Sequence, residues 1–277
     1  MSSLPVIMAI VNRTPDSFYD KGATFADTAA LDRVSQVIAE GAGVIDIGGV
    51  KAGPGDFVSP AEEIDRVVPI IAAVREKFPE IAISVDTWRA EVADIAIQNG
   101  ATLVNDTWAG HDPELVEVAG QHRVGYVCSH TGGAIPRTRP FRVYFDDVVA
   151  DVIKETTALA ERAVKVGVPE DQIFIDPTHD FGKNTFHGLE LLRRIDEVVA
   201  TGWPVLMALS NKDFIGETVD RSVEKRVPGT LAATAWAAAH GVAAFRVHEV
   251  ADTFDVLQMT AAIKGEVAPL NTTRGLV

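Results

Sequence analysis

Short apolar runs rich in Val and Ile recur along the chain at 5–11, 43–47, 81–85, 102–104, 124–128, 172–175, 204–209 and 242–247. Most are apolar on consecutive positions, the pattern of parallel strands buried on both faces. Longer segments between them carry helical periodicity. Segment 61–78 sets Ile64, Val67, Val68, Ile71 and Val74 on one face, and 147–166 and 189–200 behave alike. Asp27, Ser59 and Asp112 stand where N-caps belong, and Gly41, Gly100 and Gly167 where helices should break. Strand and helix alternate eight times without a linker-like stretch. An open doubly wound sheet competes, but eight units in 277 residues favour closure into a TIM (β/α)₈ barrel, one domain over 1–277. Segment 131–144 reads as a long loop, and residues after about 265 as a loose tail.

In such barrels the loops that follow the strands meet above a filled core, so chemistry belongs at the C-terminal strand ends. There the runs deliver Asn12, Asp46, Asp86-Thr87, Asn105-Asp106, Ser129-His130, Asp176-Pro177, Ser210-Asn211-Lys212 and Arg246-Val247-His248. A single strand-end Asp serves as readily to cap a helix or tie a loop. Thr87 and Asp106 suit that role, and Asp46 lies deep enough to be an anchor. A lone His such as His248 is more often structural than catalytic. Convergence changes the balance: Asp86, Asn105, Asp176, Lys212 and Arg246 project toward one mouth from five strands. Their mixture of donors and acceptors suits a flat heterocycle with amide and amino edges. Asn12, Arg246 and His248 suit a diphosphate, with Mg²⁺ bridging its oxygens.

Charge and cysteine usage narrow the classes. The chain has 39 acidic and 25 basic residues, a net charge of −14, which argues against nucleic acid as a partner. A small anion remains compatible, because a pocket's local field can oppose the global charge. Cys128 is the single cysteine and sits inside an apolar run, more a packing residue than a nucleophile. No disulfide framework, zinc-ligand spacing, Ser-His-Asp arrangement or phosphate-binding Gly loop is present. The first residues lack a basic segment leading into an apolar one, and no apolar run nears the roughly 18 residues of a membrane span. The expectation is a cytoplasmic protein without a membrane partner.

At these residues the chain resembles dihydropteroate synthases, from Val6 to about Ile263. Met8-Ala9-Ile10-Val11-Asn12-Arg13-Thr14-Pro15-Asp16-Ser17-Phe18 is similar to that family's first signature, and Ile45-Asp46-Ile47-Gly48-Gly49 begins its second. Ser84-Val85-Asp86-Thr87, Val104-Asn105-Asp106, Asp176-Pro177 with Phe181-Gly182-Lys183, Ser210 to Gly216, and Arg246-Val247-His248 follow in family order. The family joins a hydroxymethyl-dihydropterin diphosphate to 4-aminobenzoate and releases diphosphate. The resemblance implies that Asp86, Asn105, Asp176 and Lys212 hold the pterin. It implies that Asn12, Arg246 and His248 hold the diphosphate, with Asn12 at its Mg²⁺. Asp86, Lys212 and Arg246 are then the catalytic candidates, in a dissociative reaction whose main demand is electrostatic support of the leaving group. A homodimer follows by the same analogy, with 231–239 and Val256, Met259 and Ile263 suiting either a dimer face or barrel packing.

The resemblance breaks over the second substrate. Where the family has Glu-Ser-Thr-Arg-Pro-Gly, this chain has Val50-Lys51-Ala52-Gly53-Pro54-Gly55, and Ala52 and Gly53 lack the donors. The family's Ser-Arg-Lys-Ser becomes Ser210-Asn211-Lys212-Asp213, putting a carboxylate where a carboxylate should bind. Like charges about 4 Å apart repel by roughly 4 kcal/mol at an effective dielectric of 20. A lost charged hydrogen bond adds about 1.5–3 kcal/mol. Together these cost roughly three to five decades of affinity, less if Lys51 folds inward. On the pterin side, Ser129-His130-Thr131-Gly132 replaces a Met-His-Met pattern, and Thr178-His179-Asp180 replaces Gly-rich residues, adding bulk and charge near Asp176. The expectation is a divergent paralogue, impaired or inactive in condensation. The alternatives are a non-catalytic pterin-binding or regulatory protein, a pterin transferase with another acceptor, and a methyltransferase using a methylated folate.

Overall fold

The computed structural model describes residues 4–14, 27–138 and 143–274. Eight parallel strands form one sheet: β1 (Val6–Asn12), β2 (Val44–Gly48), β3 (Ala82–Asp86), β4 (Leu103–Asp106), β5 (Gly125–Ser129), β6 (Ile173–Asp176), β7 (Leu206–Met207) and β8 (Ala244–Val247). The hydrogen-bonded order is β6-β5-β4-β3-β2-β1-β8-β7. A parallel bridge between Ile175 and Val205 joins the two ends, so the sheet closes as a (β/α)₈ barrel. Strand β7 is far shorter than the apolar run 204–209: Pro204 has no N–H to give, and Ala208 and Leu209 already leave the ladder.

Helices α1 (Asp27–Ala39), α2 (Pro60–Lys77), α3 (Ala90–Gln98), α4 (Leu115–His122) and α5 (Val148–Val166) follow the first five strands. Then come α6 (Thr185–Arg193), α7 (Ile195–Val199), α8 (Asp213–Val219), α9 (Val227–Ala239) and α10 (Val250–Ile263). Ser59 caps α2 by accepting from the Glu62 N–H, and Asp147 caps α5. Gly167 ends α5 at φ +111°, where a Cβ would be strained. Two expectations change. Segment 189–200 is two helices, broken at Arg194, whose guanidinium binds Asp147 and Glu197. Asp112 stands a little ahead of α4: its Oδ1 accepts from the Glu114 N–H that leads into that helix, while its Oδ2 accepts from the Ala90 N–H at the start of α3. The Asp27 side chain, the motif Pro15 to Phe18 and residues 139–142 of the long loop lie outside the described residues.

The two-residue pleat sorts side chains. Ile45, Ile47, Ile83, Val85, Tyr126, Cys128, Ile173 and Ile175 face the helices in the main core. The other parity points inward. Met8, Val44, Ala82, Leu103, Val127, Phe174, Leu206 and Ala244, one from every strand, plug the barrel's lower half as a separate apolar layer. Each fully buried aliphatic contributes about 1.5–3 kcal/mol. Two residues further along come Asp46, Ser84, Asn105, Asp176 and Arg246, so the interior turns polar one pleat above the plug. No described helix is long and apolar enough to cross a membrane.

Candidate functional site

Above that polar layer lies a cavity of about 290 Å³, lined by Asn12, Asp86, Asn105, Asp176, Lys212, Arg246 and His248 among others. The seven side chains singled out from the sequence therefore share one wall system at the C-terminal mouth. Strand parity places them: Ile10 and Asn12, Asp86, Asn105, Asp176, Arg246 and His248 all continue the inward series of the plug.

Arg246 is the hub. Its Nε donates to Asp46 Oδ2 at 2.6 Å and its Nη2 to Asp86 Oδ2 at 2.6 Å. Asp46 is fully buried and also accepts from Ser84 Oγ at 2.6 Å, with Asn105 Nδ2 at 3.4 Å. Its place is thus beneath the cavity, as the anchor that orients Arg246. Asp86 accepts from Thr107 Oγ1 at 2.7 Å. Burial pushes its carboxyl up to about 6, with Arg246 opposing and Asp46 adding to the rise. Asp176 is also raised by burial, although its Oδ1 accepts from the Thr178 N–H at 2.7 Å. Burial lowers Lys212, whose Nζ donates to the His179 carbonyl at 3.1 Å and lies 4.8 Å from the Phe181 ring centre. His248 is held down at about 3, by burial first and then by Arg246, Arg33 and Lys212. Its imidazole is neutral at neutral pH, and its backbone carbonyl accepts from Arg33 Nη2 at 2.7 Å. Carboxylates with raised pKa and a neutral His beside cations make a pocket that can change protonation as a ligand displaces water.

The departures from the family pattern settle differently from their sequence reading. His179 is buried away from the cavity, its Nε2 3.2 Å from the Gly188 carbonyl and its ring against Phe214, so it adds no bulk beside Asp176. Asp180 does line the cavity, and its carboxylate accepts the first N–H groups of α8, from Asp213 at 2.6 Å and Phe214 at 3.4 Å. Asp213 also lines it but is ion-paired with Arg226 at 2.8 Å. The unpaired repulsion of about 4 kcal/mol is therefore an overestimate. Ser129 to Gly132 lie outside this cavity, and His130 Nε2 pairs with Asp151 at 2.8 Å. Asp106 and Thr87 act as loop ties: Asp106 accepts from Trp108 N, Gly110 N and Tyr126 Oη, and Thr87 from Arg89 N. Cys128 is buried in the strand, with its thiol pushed up by burial.

Sequence reasoning missed part of the wall. Trp108 and Phe181 both face the cavity, edge-to-face with ring centres 4.9 Å apart. An aromatic two residues past a strand-end Asp was the available signal. Gly182 lets the loop after β6 close on the loop after β5: at φ +65°, a Cβ there would lie 2.1 Å from the Thr131 carbonyl oxygen. Lys183 locks the same junction, donating to the carbonyls of His130, Thr178 and Phe181 at 2.9–3.1 Å. Burial lowers it to about 7.

Comparison with known proteins agrees with this geometry. The family described as "Pterin binding enzyme" matches residues 8–248. A Mycobacterium leprae protein named "Inactive dihydropteroate synthase 2" is 61% identical over 98% of this chain and 94% of its own. The Haemophilus influenzae dihydropteroate synthase is 38% identical over 94% of each chain. A solved Yersinia pestis dihydropteroate synthase, crystallised with a sulfonamide drug, superposes with a TM-score of 0.88 at 32% identity, covering 95% of both chains. A family match over residues 8–248 and relatives similar over nearly the whole length lead to one conclusion: the chain belongs to the dihydropteroate synthase family of pterin-binding enzymes.

Proposed function

We propose that the protein binds a hydroxymethyl-dihydropterin diphosphate at the barrel mouth and has weak or absent condensation activity with 4-aminobenzoate. The observation that carries the reading is the convergence of Asp86, Asn105, Asp176 and Lys212 with Asn12, Arg246 and His248 on one cavity. Asp86, Asn105 and Asp176 present acceptors and one amide donor to the edge of a pterin, and Lys212 adds a donor. Arg246 and His248 face the diphosphate, where an imidazole neutral at physiological pH donates one N–H. Asp86, Lys212 and Arg246, all on the cavity lining, would support the departing diphosphate and the cationic methylene. The relative named inactive supports the loss of turnover, as do the missing donors at Ala52 and Gly53.

The family implies Mg²⁺, and the donor set fits a hard cation. Asn12 offers an amide oxygen, and beside it the buried Thr14 Oγ1 finds no partner among the described residues. Among the described residues no group of three or more His, Cys, Asp or Glu is placed to hold a metal ion. Asn12, with Thr14 alongside, would hold Mg²⁺ through oxygens shared with the diphosphate, and the ion would neutralise the leaving group's charge. The domain is a single one over 1–277, with a loose tail after about 265. We place the protein in the cytoplasm, as its lone buried Cys128 suits. We also propose a homodimer through α9 and α10, whose outer faces expose Trp236, Met259 and Ile263 while Thr234, Ala237, Leu257 and Ala261 pack inward.

Calorimetry with the pterin diphosphate, with and without Mg²⁺, tests the binding. Saturable binding with a Mg²⁺-dependent affinity is expected, together with little dihydropteroate when 4-aminobenzoate is added. No binding refutes the pterin reading, and robust product refutes the impairment.

A further inference from the structure

A second cavity, of about 1030 Å³, opens between the loop after β5 and helix α5. Trp108 and Ala134 line both cavities and so stand between this one and the barrel mouth. His130 lines it and is 1% exposed. Its main chain is turned to the loop after β6: the N–H donates to Thr178 Oγ1 at 3.2 Å, and the carbonyl accepts from Lys183 Nζ at 2.9 Å. Its ring reaches instead to Asp151 of α5 and to Phe145, 5.7 Å between ring centres, and both of these residues line the cavity. Asp151 Oδ2 lies 2.8 Å from Nε2; a carboxylate only accepts, so Nε2 carries the hydrogen and Nδ1 keeps a bare lone pair. Burial, with Lys183 next, holds the imidazole down at about 4, so the lone pair persists at neutral pH. Nδ1 is buried and finds no partner among the described residues. A buried acceptor without a donor is costly, and the cavity is the side from which a donor can reach it.

The charges around that lone pair favour a cation. Asp147 is spent on Arg194 and on the first N–H groups of α5. Lys154 is paired with Glu155, and Arg162 with Glu117. Lys183, behind the His130 carbonyl, answers Asp176 ahead of Asp151. Two carboxylates on the lining are left. Asp151 is paired only with the uncharged imidazole among the described residues, and Asp146 is exposed. Apolar surface adjoins them, from Phe145, Leu159 and Trp108. An ammonium can give hydrogens to a bare imidazole nitrogen and a carboxylate together, and its apolar body can pack on the neighbouring rings.

We propose that this second cavity binds an organic cation, a primary ammonium on an apolar body. The ammonium donates to His130 Nδ1 and to Asp151, and the body lies against Phe145 and Leu159. The site is separate from the barrel mouth and stands whether or not the mouth takes a pterin.

The test titrates the full chain by calorimetry with three probes of one shape: phenethylamine, the uncharged phenethyl alcohol and the anionic hydrocinnamate. Phenethylamine should bind at least tenfold more tightly than either of the others. Asp151→Asn should weaken it at least tenfold, because the variant removes the carboxylate and the tautomer it enforces. Asp146→Lys, a change at an exposed position that the fold tolerates, should weaken it at least threefold and leave phenethyl alcohol unaffected. Circular dichroism checks that both variants are folded, and Asp146→Lys decides the matter alone if Asp151→Asn is not. Equal or tighter binding of the alcohol or of hydrocinnamate overturns the proposal. Absence of phenethylamine binding overturns it as well, as does an amine affinity unchanged in either folded variant.

Discussion

Asp46→Ala separates two effects that the Arg246 hub couples. Asp46 is fully buried and accepts from Arg246 Nε and Ser84 Oγ at 2.6 Å each. Breaking a buried ion pair costs about 3–5 kcal/mol when the remaining charge is stranded. Arg246 keeps Asp86 at 2.6 Å, so the low end, about 3 kcal/mol, is expected. The second effect concerns titration. The Asp46 and Asp86 carboxylates grip two nitrogens of one guanidinium, and like charges on the order of 5 Å apart repel by about 3 kcal/mol at an effective dielectric of 20. That corresponds to roughly two pH units in the Asp86 midpoint before solvent relaxation. Asp46 is one of the causes that hold Asp86 up at about 6. Its removal moves the midpoint down by about one unit. An ionised Asp86 is needed to accept from a pterin N–H, so wild-type pterin affinity should fall as pH drops through about 6. In the variant the fall should begin about one unit lower. Urea unfolding measures the first effect, and pterin calorimetry from about pH 4.5 to about pH 8 measures the second. An unmoved or raised midpoint would refute the repulsion argument, and unchanged stability would refute the anchoring role.

Asp176→Asn and Asn105→Ala should each weaken pterin binding tenfold or more, since a charged hydrogen bond is worth about 1.5–3 kcal/mol; calorimetry at pH 7.5 reads the change, with circular dichroism as the folding control. Tyr126→Phe keeps the ring but strips Asp106 of a buried donor at 2.7 Å, so unfolding free energy should drop by about 1–3 kcal/mol, read from urea midpoints. Lys183 is lowered to about 7 in the fold from an ordinary 10.5. Between those values the unfolded chain binds the extra proton, so stability should rise with pH across that window. Lys183→Met should flatten that slope, and thermal melts at pH 7, 8.5 and 10 would check it, values on the order of that window.

Much of this molecule was legible along the chain. Once a run is read as a strand, its two-residue pleat puts Met8, Ile10 and Asn12, or Ala82, Ser84 and Asp86, on one face, and that face carries both plug and site. Such signals are local, because the pleat fixes where each Cβ points whatever its neighbours are. Strand β7 was the exception, since an apolar run does not say where a ladder ends. The partners of the polar residues were not legible. Nothing near Asp46 in the sequence announces Arg246, 200 residues away. The fates of Asp180, His179 and Asp213 depend on how the loop after β6 packs against α8.

By itself, then, the sequence determined the barrel, the end at which polar residues gather and the family to which they point, because backbone periodicity and strand-end position are properties of the chain alone. Only the tertiary structure decided which charges neutralise one another, which carboxylate covers the start of α8 and which wall is aromatic. Those outcomes turn on long side chains meeting across strands, and short-range Coulomb and hydrogen-bond energies change within a few ångströms.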